Sequence, residues 1–202
     1  MIKHIIFDFG DVFLNLDKKA TEDQLRKLGL HQLSDAALSR NQEYEKGGFS
    51  SEDFVADYCR EFPALNAQSF VACWNAILVD FPKYRLEFLQ ELVSSGRFRL
   101  FLLSNTNDLH IDWVKQQIVF FEEFRACFEA FYLSQELGLR KPDPAIFDLV
   151  LNRHDLRPEE TLFIDDTPEN TRAAEKLGIH TWTIDPEKED VTDLLTIKSD
   201  LF

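Results

Sequence analysis

The stretch Ile2-Lys3-His4-Ile5-Ile6-Phe7-Asp8-Phe9-Gly10-Asp11-Val12 decides the architecture of this chain. Its first half is an apolar run of strand length that ends abruptly on a carboxylate. Nearly continuous apolar runs, as opposed to alternating ones, belong to parallel strands covered on both faces. Three more runs of that length occur at Arg99 to Leu103, Thr161 to Ile164 and Ile179 to Ile184. Helical patterns separate the later three. This alternation predicts an α/β fold, a Rossmann-like doubly wound parallel sheet.

About ninety residues separate the first run from the second, and their periodicity is helical: Leu25 and Leu28; Ala37 and Leu38 through Tyr44; Phe54, Val55 and Tyr58; Phe70, Val71, Trp74, Ile77 and Leu78. Ser50 or Ser51, followed by Glu52 and Asp53, marks one helix start. The simplest organisation is a helical cap over residues 15–85, inserted into a core formed by 1–14 and 86–202. A helix from Pro82 to Ser95 returns the chain to the core. Asp143 and Pro144 open a later helix, and Thr167 and Pro168 another that Gly178 closes.

The 202 residues carry 22 Lys+Arg against 36 Asp+Glu, a formal net charge of −14, with 45% hydrophobic and 29% charged residues. A chain this acidic repels phosphate backbones and anionic lipid, which predicts neither a nucleic-acid nor a membrane partner. The three cysteines (Cys59, Cys73, Cys127) show no metal-like spacing and suit a reducing compartment. With no signal-peptide pattern and no membrane-length apolar run, a cytoplasmic monomer or weak dimer is expected.

In an open parallel sheet, ligands gather at the carboxyl ends of the strands. Those positions hold Asp8, Ser104-Asn105 and Asp165-Asp166, while Lys141 precedes a helix start. Singly, each reads as a turn, cap or solvated charge. Jointly they form a chemically complete set. Clustered carboxylates suit a hard, oxygen-liganded cation such as Mg²⁺, and the absence of His or Cys disfavours zinc. A carboxylate can act as nucleophile, and a hydroxyl with a lysine can hold phosphoryl oxygens.

Four segments carry a resemblance: Ile5-Ile6-Phe7-Asp8-Phe9-Gly10-Asp11-Val12, Leu102-Leu103-Ser104-Asn105, Gly138-Leu139-Arg140-Lys141-Pro142-Asp143-Pro144 and Phe163-Ile164-Asp165-Asp166-Thr167-Pro168-Glu169-Asn170. In order and spacing the chain resembles the haloacid dehalogenase superfamily, on its phosphatase side. The insertion falls where that family's helical cap belongs. The cap segment Tyr44 to Phe54 is similar to the branch containing glucose-1-phosphate phosphatase and the N-terminal phosphatase domain of soluble epoxide hydrolase. The resemblance implies a Mg²⁺-dependent phosphatase of a small phosphorylated metabolite, preferably a sugar phosphate, acting through an aspartyl-phosphate. It implies Asp8 as nucleophile and metal ligand, with the Gly10 carbonyl and Asp166 as further ligands. Ser104, Asn105 and Lys141 would bind the phosphoryl group, and Asp165 would orient Lys141 or a metal-bound water.

One departure stands out. The family's phosphatases carry a second Asp two residues after the nucleophile, as acid and base; here that residue is Gly10. Asp11, Asp165 or a water could replace it, or the leaving group could need little protonation, as an anomeric oxygen does. A metal-free 2-haloacid dehalogenase and a weakly active or non-catalytic phosphate binder are the alternatives. The dehalogenase reading is disfavoured because Asp165 and Asp166 would repel a carboxylate substrate. His4, His31, His110, His154 and His180 form no ligand pair, and the series Phe120, Phe121, Phe124, Phe128 and Phe131 reads as core. Trp74, Tyr44 or Tyr58 could face substrate from the cap.

Overall fold

The computed structural model describes residues 1–30 and 33–202, so His31 lies outside the described residues. The opening run forms β1 (His4–Phe7), followed by α1 (Ala20–Lys27), α2 (Asp35–Tyr44), α3 (Ser51–Glu61), α4 (Ala67–Asn75) and α5 (Lys83–Ser94). Then come β2 (Arg99–Ser104), α6 (Asp108–Gln117), α7 (Phe121–Arg125), β3 (Ala130–Leu133), α8 (Ser134–Leu137) and α9 (Pro144–Arg153). The chain ends with β4 (Thr161–Asp165), α10 (Pro168–Glu175), β5 (His180–Thr183) and α11 (Leu194–Ile197). The five strands form one sheet in the order β3-β2-β1-β4-β5, with every pair parallel.

The apolar runs are continuous because both faces are covered. Ile5, Phe7, Leu100, Leu102, Leu162 and Ile164 join one buried cluster, which α5, α6 and α7 complete. Ile6, Phe101, Leu103 and Phe163 join a second with Ile146, Phe147 and Val150 of α9 and Ala174 of α10. The phenylalanine series is core: Phe121, Phe124 and Phe128 are buried, with Phe120 and Phe131 packed at the margin. Helices α1–α4 bury a cluster of their own, built from Leu25, Tyr44, Phe54, Tyr58, Phe70 and Trp74. Tyr44 and Tyr58 are completely enclosed there, so they do not face a substrate as expected.

Two further expectations are corrected. β3 has no counterpart among the four runs read as strands. It is a short edge strand, and the helical spacing of phenylalanines in and after α7 continues into it and masks its two-residue period. Thr167 sits at the start of α10 but its side chain caps nothing. By contrast, Asp143 accepts from Ala145 N–H at 3.0 Å and caps α9, and Ser50 caps α3 through Asp53 N–H at 3.0 Å. The three cysteines are free thiols, and among the described residues no helix is long and apolar enough to cross a membrane.

Candidate active site

Strand register assembles the site. Phe7 pairs with Leu102 on one side and Ile164 on the other, so Asp8, Ser104 and Asp165 emerge from adjacent strands at one edge. Asp8 is anchored as a strand residue would be, its N–H donating to Ile164 carbonyl oxygen at 2.8 Å. Lys141, fully buried, places Nζ 2.9 Å from Asp8 Oδ1 and 2.6 Å from Asp165 Oδ2. Asp165 is held from its other side by Asn170 Nδ2 at 3.0 Å and Thr167 N–H at 2.8 Å. Asp8 Oδ1 is buried and, apart from its ion pair, receives no aligned hydrogen bond. Oxygens of Asp8, Asp165 and Asp166 all lie within 4.8 Å of one another.

Lys141 is placed through its main chain. Asn105 Nδ2 donates to Lys141 carbonyl oxygen and Asn105 Oδ1 accepts from Lys141 N–H, both at 2.9 Å. Ser104 is buried beside it, and the following turn is closed by Ser134, which accepts from Thr106 N–H at 3.0 Å and donates to its carbonyl at 3.1 Å. Thus Asp8, Ser104, Asn105, Lys141, Asp165 and Asp166 are brought to one rim, although they come from four separate segments.

Gly10 and Asp11 behave differently from one another. A Cβ at Gly10 would fall 2.8 Å from Leu16 Cδ1, so a side chain there requires Leu16 to move. Asp11 takes a left-handed backbone (φ 52). Its carboxylate accepts from Leu16 N–H at 3.0 Å and pairs with Lys18 Nζ at 2.9 Å. Lys18 Nζ also reaches Asp166 Oδ2 at 2.5 Å. Both carboxylates considered as replacements for the missing acid, Asp11 and Asp165, are therefore already engaged by cations and N–H donors.

Burial raises the Asp8 carboxyl from 3.8 to about 7; Lys141 opposes the rise, and Asp165 and Asp166 add to it. Burial works against the charge on Lys141, but Asp165 and Asp8 outweigh it and lift its pKa. Burial also raises Asp166, which Lys18 partly offsets. Between about pH 4 and 7 folded Asp8 keeps a proton that the unfolded chain has released. Its stabilising contribution is therefore full below about pH 4 and lost as pH rises through about 7. Urea unfolding in EDTA at about pH 5 and 8 tests this. The protein is expected to lose more stability across that interval than Asp8→Asn, and equal losses would refute the assignment.

On the side of α1–α4, a cavity of about 150 Å³ opens onto Gly10, Ser104 and Asn105 and is also lined by Glu45, Asn107 and His110. Glu45, just past α2, meets Arg140 Nε and Nη2 through one oxygen, Oε2, both at 2.9 Å. Burial pushes the Glu45 carboxyl up while Arg140 pulls it down. Burial lowers His110 to about 4, against a smaller pull from the Trp74 carbonyl, and the ring stacks on Trp74 at 5.6 Å. Sequence reading passed over Lys18, Glu45, Asn107 and Arg140 as site residues and set His110 aside. Arg140 does adjoin Lys141, and Asn107 follows Ser104-Asn105 closely, so position next to a motif was the available signal. Lys18 had none.

Comparison with known proteins matches the chain to a family. A family model described as haloacid dehalogenase-like hydrolase matches residues 2–178. The chain is 31% identical over 194 residues to D-ribitol-5-phosphate phosphatase of Bacteroides thetaiotaomicron, covering 90% of this chain and 91% of that one. A solved haloacid dehalogenase-family enzyme of that organism, in complex with magnesium and inorganic phosphate, superposes with TM-score 0.83 at 32% identity, covering 96% of this chain and 99% of that one. A haloacid dehalogenase-like hydrolase from Porphyromonas gingivalis gives TM-score 0.81 at 27% identity, over 100% of this chain and 98% of that one.

Proposed function

This chain belongs to the haloacid dehalogenase-like hydrolases, and on that footing we propose that it is a magnesium-dependent phosphatase of a small sugar or polyol phosphate. The observation that carries the reading is the buried Asp8–Lys141–Asp165 arrangement beside Asp166. The donor set suits magnesium: the oxygens are hard and converge within 4.8 Å of one another. Asp8, Asp166 and the Gly10 carbonyl would hold the ion. When bound, it would polarise the phosphoryl group and neutralise charge developing on it.

Within this reading an Asp8 carboxylate oxygen attacks phosphorus, and the bond to the leaving oxygen breaks. Water then attacks phosphorus of the aspartyl-phosphate, releasing inorganic phosphate and restoring Asp8. The departing alkoxide takes its proton from a water in the site, and the attacking water's proton leaves to solvent, so the alcohol product is neutral. Lys141 and Ser104 bind the phosphoryl oxygens, with Asn105 holding Lys141 in register. Asp165 keeps the Lys141 ammonium aimed at Asp8. The named substrate of the Bacteroides relative, a pentitol phosphate, supports a polyhydroxylated leaving group. A haloacid substrate is disfavoured because its carboxylate would approach three acidic side chains.

We read residues 15–85 as a cap that closes over the rim and excludes bulk water. The free thiols and acidic charge support a cytoplasmic protein, monomeric or weakly dimeric. The test is metal removal: EDTA abolishes hydrolysis of p-nitrophenyl phosphate and added Mg²⁺ restores it. Full activity in EDTA would sink the mechanism.

A further inference from the structure

The segment Tyr44 to Gly48 is locked onto the sheet domain at three points. Tyr44 hydroxyl accepts from Leu109 N–H at 3.2 Å. Gly47 has φ +72, and a Cβ there would lie 2.2 Å from Gln135 carbonyl oxygen, a close approach that only glycine permits. Between them, Arg140 takes Glu45 Oε2 with two nitrogens. Glu45 Oε1 has no hydrogen-bond partner among the described residues, and Glu45 lines the small cavity beside Gly10 and Ser104.

The neighbouring groups are committed. His110 Nε2 donates to Trp74 carbonyl oxygen at 3.3 Å, so Nδ1 accepts from Asn107 Nδ2 at 3.2 Å and the ring is neutral. Asn107 Oδ1 accepts from Trp74 Nε1–H at 3.3 Å and His110 N–H at 3.1 Å, leaving one Nδ2 hydrogen to give. A carboxylate oxygen and an amide hydrogen are the two partners a hydroxyl group needs. A leaving group bearing its own carboxylate would meet Glu45 with no cation to spare, since Arg140 is already paired.

We propose that Glu45 is the specificity-determining residue of the site, selecting phosphate esters with a neutral polyol leaving group and rejecting those with a carboxylate. The proposal rests on the phosphatase reading and names the substrate class within it. Glu45→Gln keeps the size of the side chain and removes its charge. The variant is expected to lose about 10–100-fold in kcat/KM for a pentitol phosphate, chiefly through KM. Its activity on 3-phosphoglycerate should rise at least about fivefold, because Arg140 is released from a carboxylate. On p-nitrophenyl phosphate, which offers no hydroxyl, any loss should be at least about fivefold smaller than on the pentitol phosphate.

An equal fall on all three compounds would mean that Glu45 only holds the cap, and no change on any would mean that it reads nothing; either overturns the proposal. The same preferences are read as Kd by calorimetry with Asp8→Asn and Asp8→Asn/Glu45→Gln. A parent protein inert toward p-nitrophenyl phosphate in Mg²⁺ would sink the phosphatase reading, while the Kd ratios would still judge Glu45.

Discussion

Asp8→Asn is expected to lower turnover of any phosphate ester by at least about 10⁴-fold, because an amide cannot form the acyl-phosphate bond. The shape of the side chain is kept, and the N–H of residue 8 still bonds the Ile164 carbonyl. The fold should therefore survive, as circular dichroism would show. Loss of activity with an intact fold shows that Asp8 is needed as nucleophile, metal ligand or both, and among the described residues no other buried carboxylate stands in the same relation to Lys141. Asp165 touches the same ammonium, but its oxygens are held by Asn170 and the Thr167 N–H. Mass spectrometry of acid-quenched protein during turnover should find a phosphoryl adduct in the parent and none in the variant. Retained turnover, or an adduct on another residue, would show the nucleophile to be misassigned.

Lys141→Met should produce the largest stability effect. The ammonium is fully buried between two carboxylates at 2.9 and 2.6 Å. Removing one member of a buried charge cluster leaves the others uncompensated, which typically costs about 3–5 kcal/mol. For a chain of this size each kcal/mol lowers the melting temperature by roughly 2–4 °C, so a drop of roughly 10 °C in EDTA is expected. Turnover should vanish as well, since the phosphoryl oxygens lose their buried cation. Adding Asp165→Asn should recover part of the melting temperature, because that double variant removes one of the two stranded charges. It should recover no activity. An unchanged melting temperature in Lys141→Met would show that the three groups do not form one electrostatic unit.

How much of this was legible in sequence follows from how local the signals are. β1, β2 and β4 were readable because each is buried on both faces and so nearly uninterrupted in apolar character. Asp8, Ser104, Asp165 and Asp166 were readable because strand ends are fixed by where those runs stop. β3 was hidden, since four residues at a sheet edge cannot outweigh a run of helically spaced phenylalanines before them. The capping role of Thr167 was misread because its hydroxyl turns toward Asp166 Oδ1 at 3.5 Å and not toward the first N–H groups of α10, a choice set by the site and not by any local rule. Lys18, Glu45 and His110 were out of reach for a different reason. Their importance comes from tertiary approach: Glu45 to Arg140 and Lys18 to Asp166 link positions 95 and 148 residues apart.

The bonds between Asn105 and the Lys141 main chain have a consequence for how substitutions at the site are to be interpreted. An amide side chain that donates to a carbonyl and accepts from the N–H of the same residue does the work of a neighbouring strand, for one residue only. The anchor ignores which side chain position 141 carries. Exchanging that side chain therefore edits the charge of the pocket without moving its scaffold, whereas exchanging Asn105 moves the scaffold without editing the charge. Chemistry and carpentry thus sit on two residues in contact, and a double-mutant cycle at 105 and 141 would read how much of the Asn105 effect passes through the Lys141 charge.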